Sequence, residues 1–273
     1  MYEEILYEVS DPMATITLNR PNALNAWTER MGAEIKHAVA AAEADKSVVA
    51  IVITGAGRGF CAGADMNSLQ NISAGERGSA IPPELDAHPG DPASSDDFGG
   101  THTYMMSVRK PVIAAINGPA AGMALPILLA CDIRFASEKA VFTLAFSKRG
   151  LIAEWGCAWL LPRIMGTGHA LDLLLSSRKI DGREAERIHL VNRTLPHNEL
   201  LPYVREYVEN MAAECSPASL QVMKRQVYQQ LTREFAPSEK EAVKLMIESF
   251  ERPDFREGVM SFVEKRPPKF NRV

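Results

Sequence analysis

Two short apolar segments, each followed at once by a glycine-rich turn, constrain the fold of this chain most strongly. Residues 48–54 and 111–117 are β-branched and almost continuously apolar, which is typical of strands buried on both faces. Residues 14–18 alternate more, as a half-exposed strand does. Between these strands, Thr28 is a candidate N-cap for a helix with one apolar face. Strands that alternate with helices in this order predict an α/β architecture.

From about residue 196 the strand signals vanish and the pattern becomes helical. Ser216 followed by Pro217 is typical of an N-cap with proline in the first helical position. Three apolar stripes follow at helical spacing: Leu220, Met223, Val227 and Leu231; Val243, Met246, Ile247 and Phe250; Phe255, Val259 and Phe262. They need a partner surface, which is either the chain's own core or, with at least equal support, a subunit interface. We therefore expect an α/β part over residues 1–195 and an α-helical oligomerisation region over residues 196–273.

The composition argues against several classes of partner. With 273 residues, 46% of them apolar, the chain is long enough to bury a full core. A formal net charge of −4 without a long basic block argues against nucleic-acid binding. No apolar run reaches the roughly 18 residues of a membrane span, and the first residues lack the pattern of a secretory signal. The four cysteines and six histidines show no metal-ligand spacing, which predicts free thiols, no metal and a cytoplasmic location.

Residues 73–100 interrupt the alternation of strands and helices. The segment is rich in glycine, proline, serine and aspartate, has almost no hydrophobic periodicity and is too long for an ordinary connection. Two interpretations stay open, a mobile active-site flap and a plain surface insertion. His88 and His102 lie in or beside this segment, and we expect both to be ordinary surface histidines.

The two glycine-rich turns lack the spacing of a phosphate-binding loop. The first, residues 55–65, ends in Asp65, which alone would be only a helix cap. The second, residues 118–126, ends in Pro126; because proline is tolerated in the first turn of a helix, a helix N-terminus is expected near Met123. Two such turns can aim one N–H group each at a single carbonyl oxygen. For acyl chemistry, one donor of this kind contributes about 2.7–4 kcal/mol in the transition state.

Several motifs carry a family resemblance. They are Asn19-Arg20-Pro21 with Ala23-Leu24-Asn25-Ala26, Ala62-Gly63-Ala64-Asp65, Lys110-Pro111-Val112-Ile113-Ala114-Ala115, Asn117-Gly118 with Gly122, and Phe262-Val263-Glu264-Lys265-Arg266. In this order, from about residue 5 to 270, they resemble the crotonase (enoyl-CoA hydratase/isomerase) superfamily. The resemblance implies a spiral of ββα turns with a C-terminal α-helical trimerisation region, assembled as a homotrimer or a dimer of trimers. It implies an acyl-CoA thioester as partner, with coenzyme A as part of the substrate and no permanently bound cofactor.

The same resemblance implies site residues. The backbone N–H groups of Ala64 and Met123 would bind the thioester oxygen, although Met123 stands where the family usually has glycine. The coenzyme A site would contain Arg20, Ala23, Leu24, Ala62, Ala64, Asp65, Met66, Asn67, Phe262 and Lys265. In the family, the C-terminal helix that corresponds to Phe262 and Lys265 reaches the nucleotide of a neighbouring subunit.

The resemblance also bears on the catalytic carboxylate. Hydratases of the family use two glutamates to activate water, and their positions here hold Pro126 and Phe146. Residues 150–156 resemble monofunctional enoyl-CoA isomerases, in which the glutamate at the position of Glu154 is the sole base. One base that takes a proton at C2 and returns it at C4 moves the double bond while an oxyanion hole holds the dienolate. The alternative is that Glu154 only favours the N-terminus of the following helix.

Three functions stay open from the sequence. The first is an enoyl-CoA isomerase, with Glu154 as base and the N–H groups of Ala64 and Met123 as oxyanion hole. The second is an enoyl-CoA hydratase that uses Glu154 with an acid from residues 73–100. The third is a non-catalytic acyl-CoA-binding subunit that kept the hole and lost its acids.

Overall fold

The structure, a computed structural model, describes residues 2–75, 81–94 and 96–273. Within these ranges the strands are β1 Ile5–Ser10, β2 Met13–Leu18, β3 Ala50–Gly55, β4 Val112–Ile116, β5 Ala120–Ala121, β6 Ile133–Ser137, β7 Val141–Thr143, β8 Ile180–Asp181 and β9 Arg193–Leu195. The helices are α1 Glu29–Ala44, α2 Met66–Ser73, α3 Ala124–Ala130, α4 Cys157–Met165, α5 Thr167–Ser176, α6 Gly182–Arg187, α7 Leu200–Glu214, α8 Pro217–Gln230, α9 Phe235–Phe250 and α10 Pro253–Glu264. The α/β prediction is confirmed, and the three predicted strands are β2, β3 and β4.

Six strands form the main sheet in the order β1-β2-β3-β4-β6-β9. β1 and β2 are antiparallel, and the other neighbouring pairs are parallel. A small second sheet has the order β5-β7-β8. Because parallel neighbours end at the same edge of a sheet, the turns that follow β3 and β4 leave it side by side. The topology therefore brings the two glycine-rich turns to one edge.

Apolar side chains cover both faces of the main sheet. Residues 50–54 of β3 are all buried. One face packs on α1, whose first buried side chain is Met31 and whose N-cap Thr28 accepts a hydrogen bond from Met31 N at 3.0 Å, as the sequence predicts. The other face packs on α7 through Leu200 and Val204. None of the helices in the described ranges has the length and apolar character needed to cross a membrane.

Polar contacts fasten α8 to the core. Lys224 Nζ lies 2.7 Å from a carboxylate oxygen of Asp132 and donates to the carbonyl oxygens of Met105 and Lys110 at 2.9 and 3.0 Å. The hydroxyl group of Tyr228 donates to the other carboxylate oxygen of Asp132 at 2.7 Å. Burial, together with that carboxylate, raises the pKa of Tyr228 well above its ordinary value, so the phenol keeps the proton that it donates. One face of α8 is therefore fixed by charge and hydrogen bonds.

The predicted apolar stripes of α8, α9 and α10 are exposed in the single chain. Val227 is 61% exposed, Ile247 is 54% exposed and Phe262 is 85% exposed. Monomeric proteins seldom expose large contiguous apolar patches. The expectation that these helices cover a subunit interface stays a prediction, and their exposed side chains support it.

Part of the segment 73–100 is attached to the helical region. Residues 76–80 and residue 95 lie outside the described residues. Asp91 forms an ion pair with Arg225 of α8 at 3.0 Å. This contact fixes the middle of the segment against the helix that also packs on the core.

Candidate active site

Backbone hydrogen bonds join the two glycine-rich turns. The N–H groups of Phe60 and Cys61 both donate to the carbonyl oxygen of Pro119, at 3.0 and 3.1 Å. The N–H group of Ala121 donates to the carbonyl oxygen of Cys61 at 3.0 Å. The side-chain amide of Asn117 adds hydrogen bonds to the backbone of the first turn. The two turns are therefore in direct contact.

Gly63 lies where the turns meet. Its φ of +104° falls in a region that favours glycine. A Cβ atom at this position would lie 3.1 Å from the carbonyl oxygen of Ala121 and 3.8 Å from the backbone nitrogen of Met123. Since Ala64 follows Gly63 directly, the structure brings the backbone of Ala64 and Met123 onto facing turns. Among the described residues, neither of these two N–H groups has a hydrogen-bond acceptor in the protein.

Met123 stands at the start of a short buried helix. It is the N-cap residue of α3, all seven residues of which are buried. Pro126 is the third residue of this helix, inside the first turn as predicted, where a missing N–H group leaves no acceptor unsatisfied. The Met123 side chain is half-buried, so the fold accommodates the side chain that replaces the usual glycine.

The predicted coenzyme A segment lies against the first turn. Arg20 forms ion pairs with Asp65 at 3.0 Å and with Glu4 at 3.3 Å. The N–H group of Ala62 donates to the carbonyl oxygen of Leu24 at 3.0 Å. Through these contacts the structure brings together the segments that hold Arg20, Ala23, Leu24, Ala62, Ala64 and Asp65.

Asp65 connects this surface to α2. Its carboxylate accepts a hydrogen bond from the N–H group of Asn67 at 2.9 Å and caps the helix, as predicted. Burial acts to raise the pKa of Asp65, but the hydrogen bond from Arg20 and the backbone N–H of Asn67 outweigh it and lower the pKa. Asp65 is therefore ionised and compensates the charge of Arg20. Met66 and Asn67 are exposed at the start of α2, beside this ion pair.

Phe262 and Lys265 lie apart from this group. Phe262 is in the last turn of α10 and Lys265 is its C-cap residue, and both are exposed. In the described part of the chain, no hydrogen bond or ion pair joins α10 to residues 20–26. Their contact with the nucleotide of a neighbouring subunit stays a prediction.

Glu154 lies in a tight turn directly before α4. Its carbonyl oxygen accepts a hydrogen bond from Cys157 N at 2.9 Å, and the next residues, Trp155 and Gly156, have φ of 51° and 83°. The residue is half-buried, and burial raises the pKa of its carboxyl group above the ordinary value of 4.5. The alternative that Glu154 only favours the N-terminus of α4 stays open beside its role as a base.

The two positions at which the resembling hydratases carry glutamates hold apolar side chains. Pro126 is buried in α3, and Phe146, 4% exposed, precedes the short turn Ser147–Arg149. In the described ranges, no group of three or more His, Cys, Asp or Glu side chains is placed to hold a metal ion. Among the sequence-predicted catalytic residues, Glu154 is the one with a titratable side chain.

A cavity of about 500 Å³ opens beside the Glu154 turn. Its apolar wall includes Phe98, Met106, Trp155, Trp159 and Leu160. Its polar wall includes Asp97, Thr101, His102, Thr103 and Thr232. A concave, mainly apolar pocket with a few polar groups is typical of a small-molecule site. Because residues 97, 98 and 100 belong to the segment 73–100, this end of the segment contributes to the pocket, which favours the active-site interpretation over a plain surface insertion.

The prediction that His102 is a surface residue is wrong. It is only 5% exposed, and its ring is nearly perpendicular to the rings of Trp27 and Trp155, with centroid distances of 5.3 and 4.8 Å. The backbone N–H group of Trp27 donates to the carbonyl oxygen of Gly63 at 2.7 Å, so Trp27 and His102 connect the first turn with the cavity. The sequence gives little sign of this burial, because both tryptophans are remote from residue 102 along the chain. His88 is exposed, as expected.

The α/β fold places two backbone N–H groups without an acceptor among the described residues on facing turns, an arrangement that enzymes acting on acyl groups use to bind a carbonyl oxygen. The family model described as "Enoyl-CoA hydratase/isomerase" matches residues 8–272, and the chain belongs to this family. A probable enoyl-CoA hydratase of Mycobacterium tuberculosis is 32% identical, with 98% of each chain covered. The 1,2-epoxyphenylacetyl-CoA isomerase of Escherichia coli is also 32% identical, with 99% of each chain covered.

Solved structures give the same result. The crystal structure of a probable enoyl-CoA hydratase/isomerase from Mycobacterium abscessus superposes with a TM-score of 0.84 at 27% identity, and 99% of each chain is covered. The crotonase resemblance that the motifs carry is therefore confirmed, and the chain is an enzyme of this superfamily. The non-catalytic alternative loses its support, because the relatives are named as enzymes.

Proposed function

We propose that this enzyme shifts the double bond of a 3-enoyl-CoA to the 2 position, with Glu154 as its single base. The observation that carries the proposal is the position of Glu154, a half-buried acid whose pKa burial raises, in the turn directly before the cavity residues Trp155 and Gly156. The apolar side chains of Pro126 and Phe146 support it further, because they stand where a two-glutamate hydratase needs acids.

The proposed chemistry uses one proton and two backbone donors. The N–H groups of Ala64 and Met123 donate to the thioester oxygen. Glu154 accepts the proton from C2, and the electron pair of the broken C–H bond delocalises through the 3,4 double bond and the thioester as a dienolate. The same carboxyl group returns the proton to C4, the double bond forms between C2 and C3, and the carboxylate is regenerated. Stabilisation of the oxyanion by preorganised N–H groups lowers the barrier to the dienolate.

The proposed coenzyme A site extends from this centre across the subunit surface. Its residues are Arg20, Ala23, Leu24, Ala62, Ala64, Asp65, Met66 and Asn67, with Phe262 and Lys265 supplied by a neighbouring subunit of a trimer. Coenzyme A enters as part of the substrate, and the reaction needs no permanently bound cofactor. The contact of residues 20–26 with the first turn supports this arrangement, since a thioester held in the hole would extend past it.

A hydratase is the second candidate function. Two observations favour it: the M. tuberculosis relative is named a probable enoyl-CoA hydratase, and Asp97 of the segment 73–100 lines the same cavity as Trp155. In this alternative Glu154 and Asp97 together would activate a water molecule for addition to a 2-enoyl-CoA. The E. coli relative, whose name describes isomerisation of an epoxide, supports the broader statement that an isomerase activity fits this part of the family.

The variant Glu154→Gln tests the proposal. It keeps the volume of the side chain but cannot accept a proton, so we expect isomerisation of a 3-enoyl-CoA to fall by at least roughly 10²–10⁴-fold, the contribution of a general base. Binding of a saturated acyl-CoA, measured by calorimetry, should be nearly unchanged. Glu138→Gln, which alters an exposed glutamate, is the matched control and should retain full turnover.

Substrate choice separates the two candidates. The wild-type enzyme should convert the 3-enoyl-CoA and show little hydration of the 2-enoyl-CoA. If instead both Glu154→Gln and Asp97→Asn abolish hydration of a 2-enoyl-CoA, the hydratase is supported. Wild-type turnover of the Glu154→Gln variant on both substrates would show that the assignment of Glu154 as base is wrong.

A further inference from the structure

His102 is buried without a hydrogen-bond partner for its ring. In the described residues, neither ring nitrogen makes a hydrogen bond, and the aromatic contacts of the ring are two nearly perpendicular tryptophan rings. Buried polar side chains are as a rule hydrogen-bonded. In the described part of the chain, every side-chain nitrogen or oxygen that is fully shielded from solvent has a hydrogen-bond partner. The ring of His102 therefore keeps its polar access through the cavity, whose wall it forms.

The imidazole is neutral at physiological pH. Burial is the cause that lowers its pKa to about 4. A neutral imidazole donates from one ring nitrogen and accepts at the other, so its best partner is a group that also donates and accepts. A hydroxyl group has that property. The carboxylate of Asp97 in the same wall disfavours a negatively charged group at this place.

The rest of the cavity indicates the shape of the group that carries the hydroxyl. Trp155, Trp159 and Phe98 provide flat apolar surfaces, and Leu160 adds an aliphatic one. Aromatic walls favour planar apolar ligands that stack or meet them edge-on. An aromatic ring with one hydroxyl substituent combines both properties.

We propose that His102 is a specificity-determining residue that hydrogen-bonds a neutral hydroxyl group on an aryl-bearing acyl chain of the CoA thioester. The inference rests on the proposed function in one respect, namely that the thioester oxygen lies at the N–H groups of Ala64 and Met123. From there the acyl chain reaches the cavity past Trp27, whose ring contacts His102 and whose backbone contacts Gly63.

Binding of saturated thioesters tests this inference, because these ligands cannot react. The probes are 3-phenylpropanoyl-CoA and its three isomers with a hydroxyl group on the ring, measured by isothermal titration calorimetry. The wild-type enzyme should bind at least one hydroxy isomer about five- to tenfold more tightly than the parent, the effect of one uncharged hydrogen bond. His102→Phe should bind the parent as the wild type does and lose the preference. His102→Asn, which can donate and accept, should retain part of it.

Two results would overturn the inference. In one, the wild-type enzyme binds every hydroxy isomer no better than the parent, which would mean that water satisfies the ring nitrogens. In the other, the His102→Phe variant keeps the preference. The comparison of the hydroxy isomers with the parent needs only the wild-type enzyme, so it tests the inference even if a variant fails to fold. If the wild-type enzyme prefers a hydroxy isomer but the Glu154→Gln variant keeps full turnover, the isomerase proposal alone is refuted. If the wild-type enzyme shows no such preference but the Glu154→Gln variant loses turnover, the role of His102 alone is refuted.

Discussion

Because Glu154 is partly buried, its carboxyl group has a higher pKa than that of an exposed glutamate. Its pKa is raised from the ordinary 4.5, and the largest cause is desolvation. A general base is most efficient when its pKa lies close to the working pH. The turn before α4, in which Trp155 has a positive φ, holds the carboxyl group in this environment. Positive φ at a bulky residue is strained, and such strain concentrates at functional sites.

We expect the raised pKa of Glu154 to set the acid limb of the pH–rate profile. Only the ionised carboxylate accepts the C2 proton, so kcat/KM should rise with pH through this pKa, with a midpoint above 4.5. Steady-state assays of a 3-enoyl-CoA across the acid range measure the midpoint. A midpoint at or below 4.5 would argue that Glu154 is not the titrating base.

The raised pKa of Glu154 also determines whether the free energy of unfolding rises or falls with pH. Because the folded state holds this proton more tightly than the unfolded chain, the free energy of unfolding falls as pH rises from 4.5 through the raised pKa. Glu154→Gln should remove this decline. Urea unfolding of the two proteins across this window therefore checks the direction of the shift independently of catalysis.

Single residues were predictable from sequence where local geometry determines their role. Thr28, Asp65 and Ser216 each accept a backbone hydrogen bond at the start of the helix that they were expected to cap. His102 was not predictable, since its burial depends on two tryptophans from distant parts of the chain. A capping pattern is contained in four consecutive residues, whereas a buried side chain is defined by the tertiary fold.

The close contact between the two facing turns depends on the absence of a side chain at Gly63. Gly63→Ala would place a methyl group 3.1 Å from the carbonyl oxygen of Ala121 and 3.8 Å from Met123 N, in a backbone conformation that alanine rarely adopts. We expect the two turns to move apart and turnover to fall by roughly 10²-fold or more, the cost of losing one oxyanion donor. Stability should fall by about 1–3 kcal/mol from the strained φ.

Gly166→Ala is the matched control for this change. Gly166 also has a positive φ, +79°, but a Cβ atom there would meet nothing within 4 Å. This variant should lose a similar free energy of unfolding and keep its turnover. Equal losses of turnover in the two variants, measured with the same 3-enoyl-CoA, would show that strain in general, rather than the separation of the turns, reduces activity.

β2, β3, β4 and the helices α1, α8, α9 and α10 followed from sequence patterns, and the shortest strands did not. β3 and β4 combine β-branched composition with adjacent glycine-rich turns, and the motif resemblance added their common role. β5, β7 and β8 have two or three residues each, too few for any periodicity. The order of the main sheet, in which β6 lies between β4 and β9, reflects pairing between segments far apart in the chain. Local patterns carry no information on such pairing.

In the assembly of the molecule, α7 differs from the helices that follow it. α7 buries its apolar face on the main sheet, through residues such as Leu200 and Val208. α8 directs its polar contacts to the core, while Val227 on the same helix is exposed. Within the helical region, most of the large exposed apolar side chains therefore belong to α8, α9 and α10. This division supports a subunit interface built from the last three helices, with α7 in the core of each subunit.

We expect the double variant Val227→Glu with Ile247→Glu to turn a trimer into monomers, because an apolar interface does not accept unpaired carboxylates. Sedimentation velocity at micromolar concentration measures the change. The monomers should also bind a saturated acyl-CoA more weakly, since they lose the contribution of the C-terminal helix of the neighbouring subunit. Leu6→Glu, at an exposed apolar position of β1, should alter neither property. A monomeric wild-type enzyme would refute the assembly, and full acyl-CoA affinity in the monomeric variant would refute the shared site.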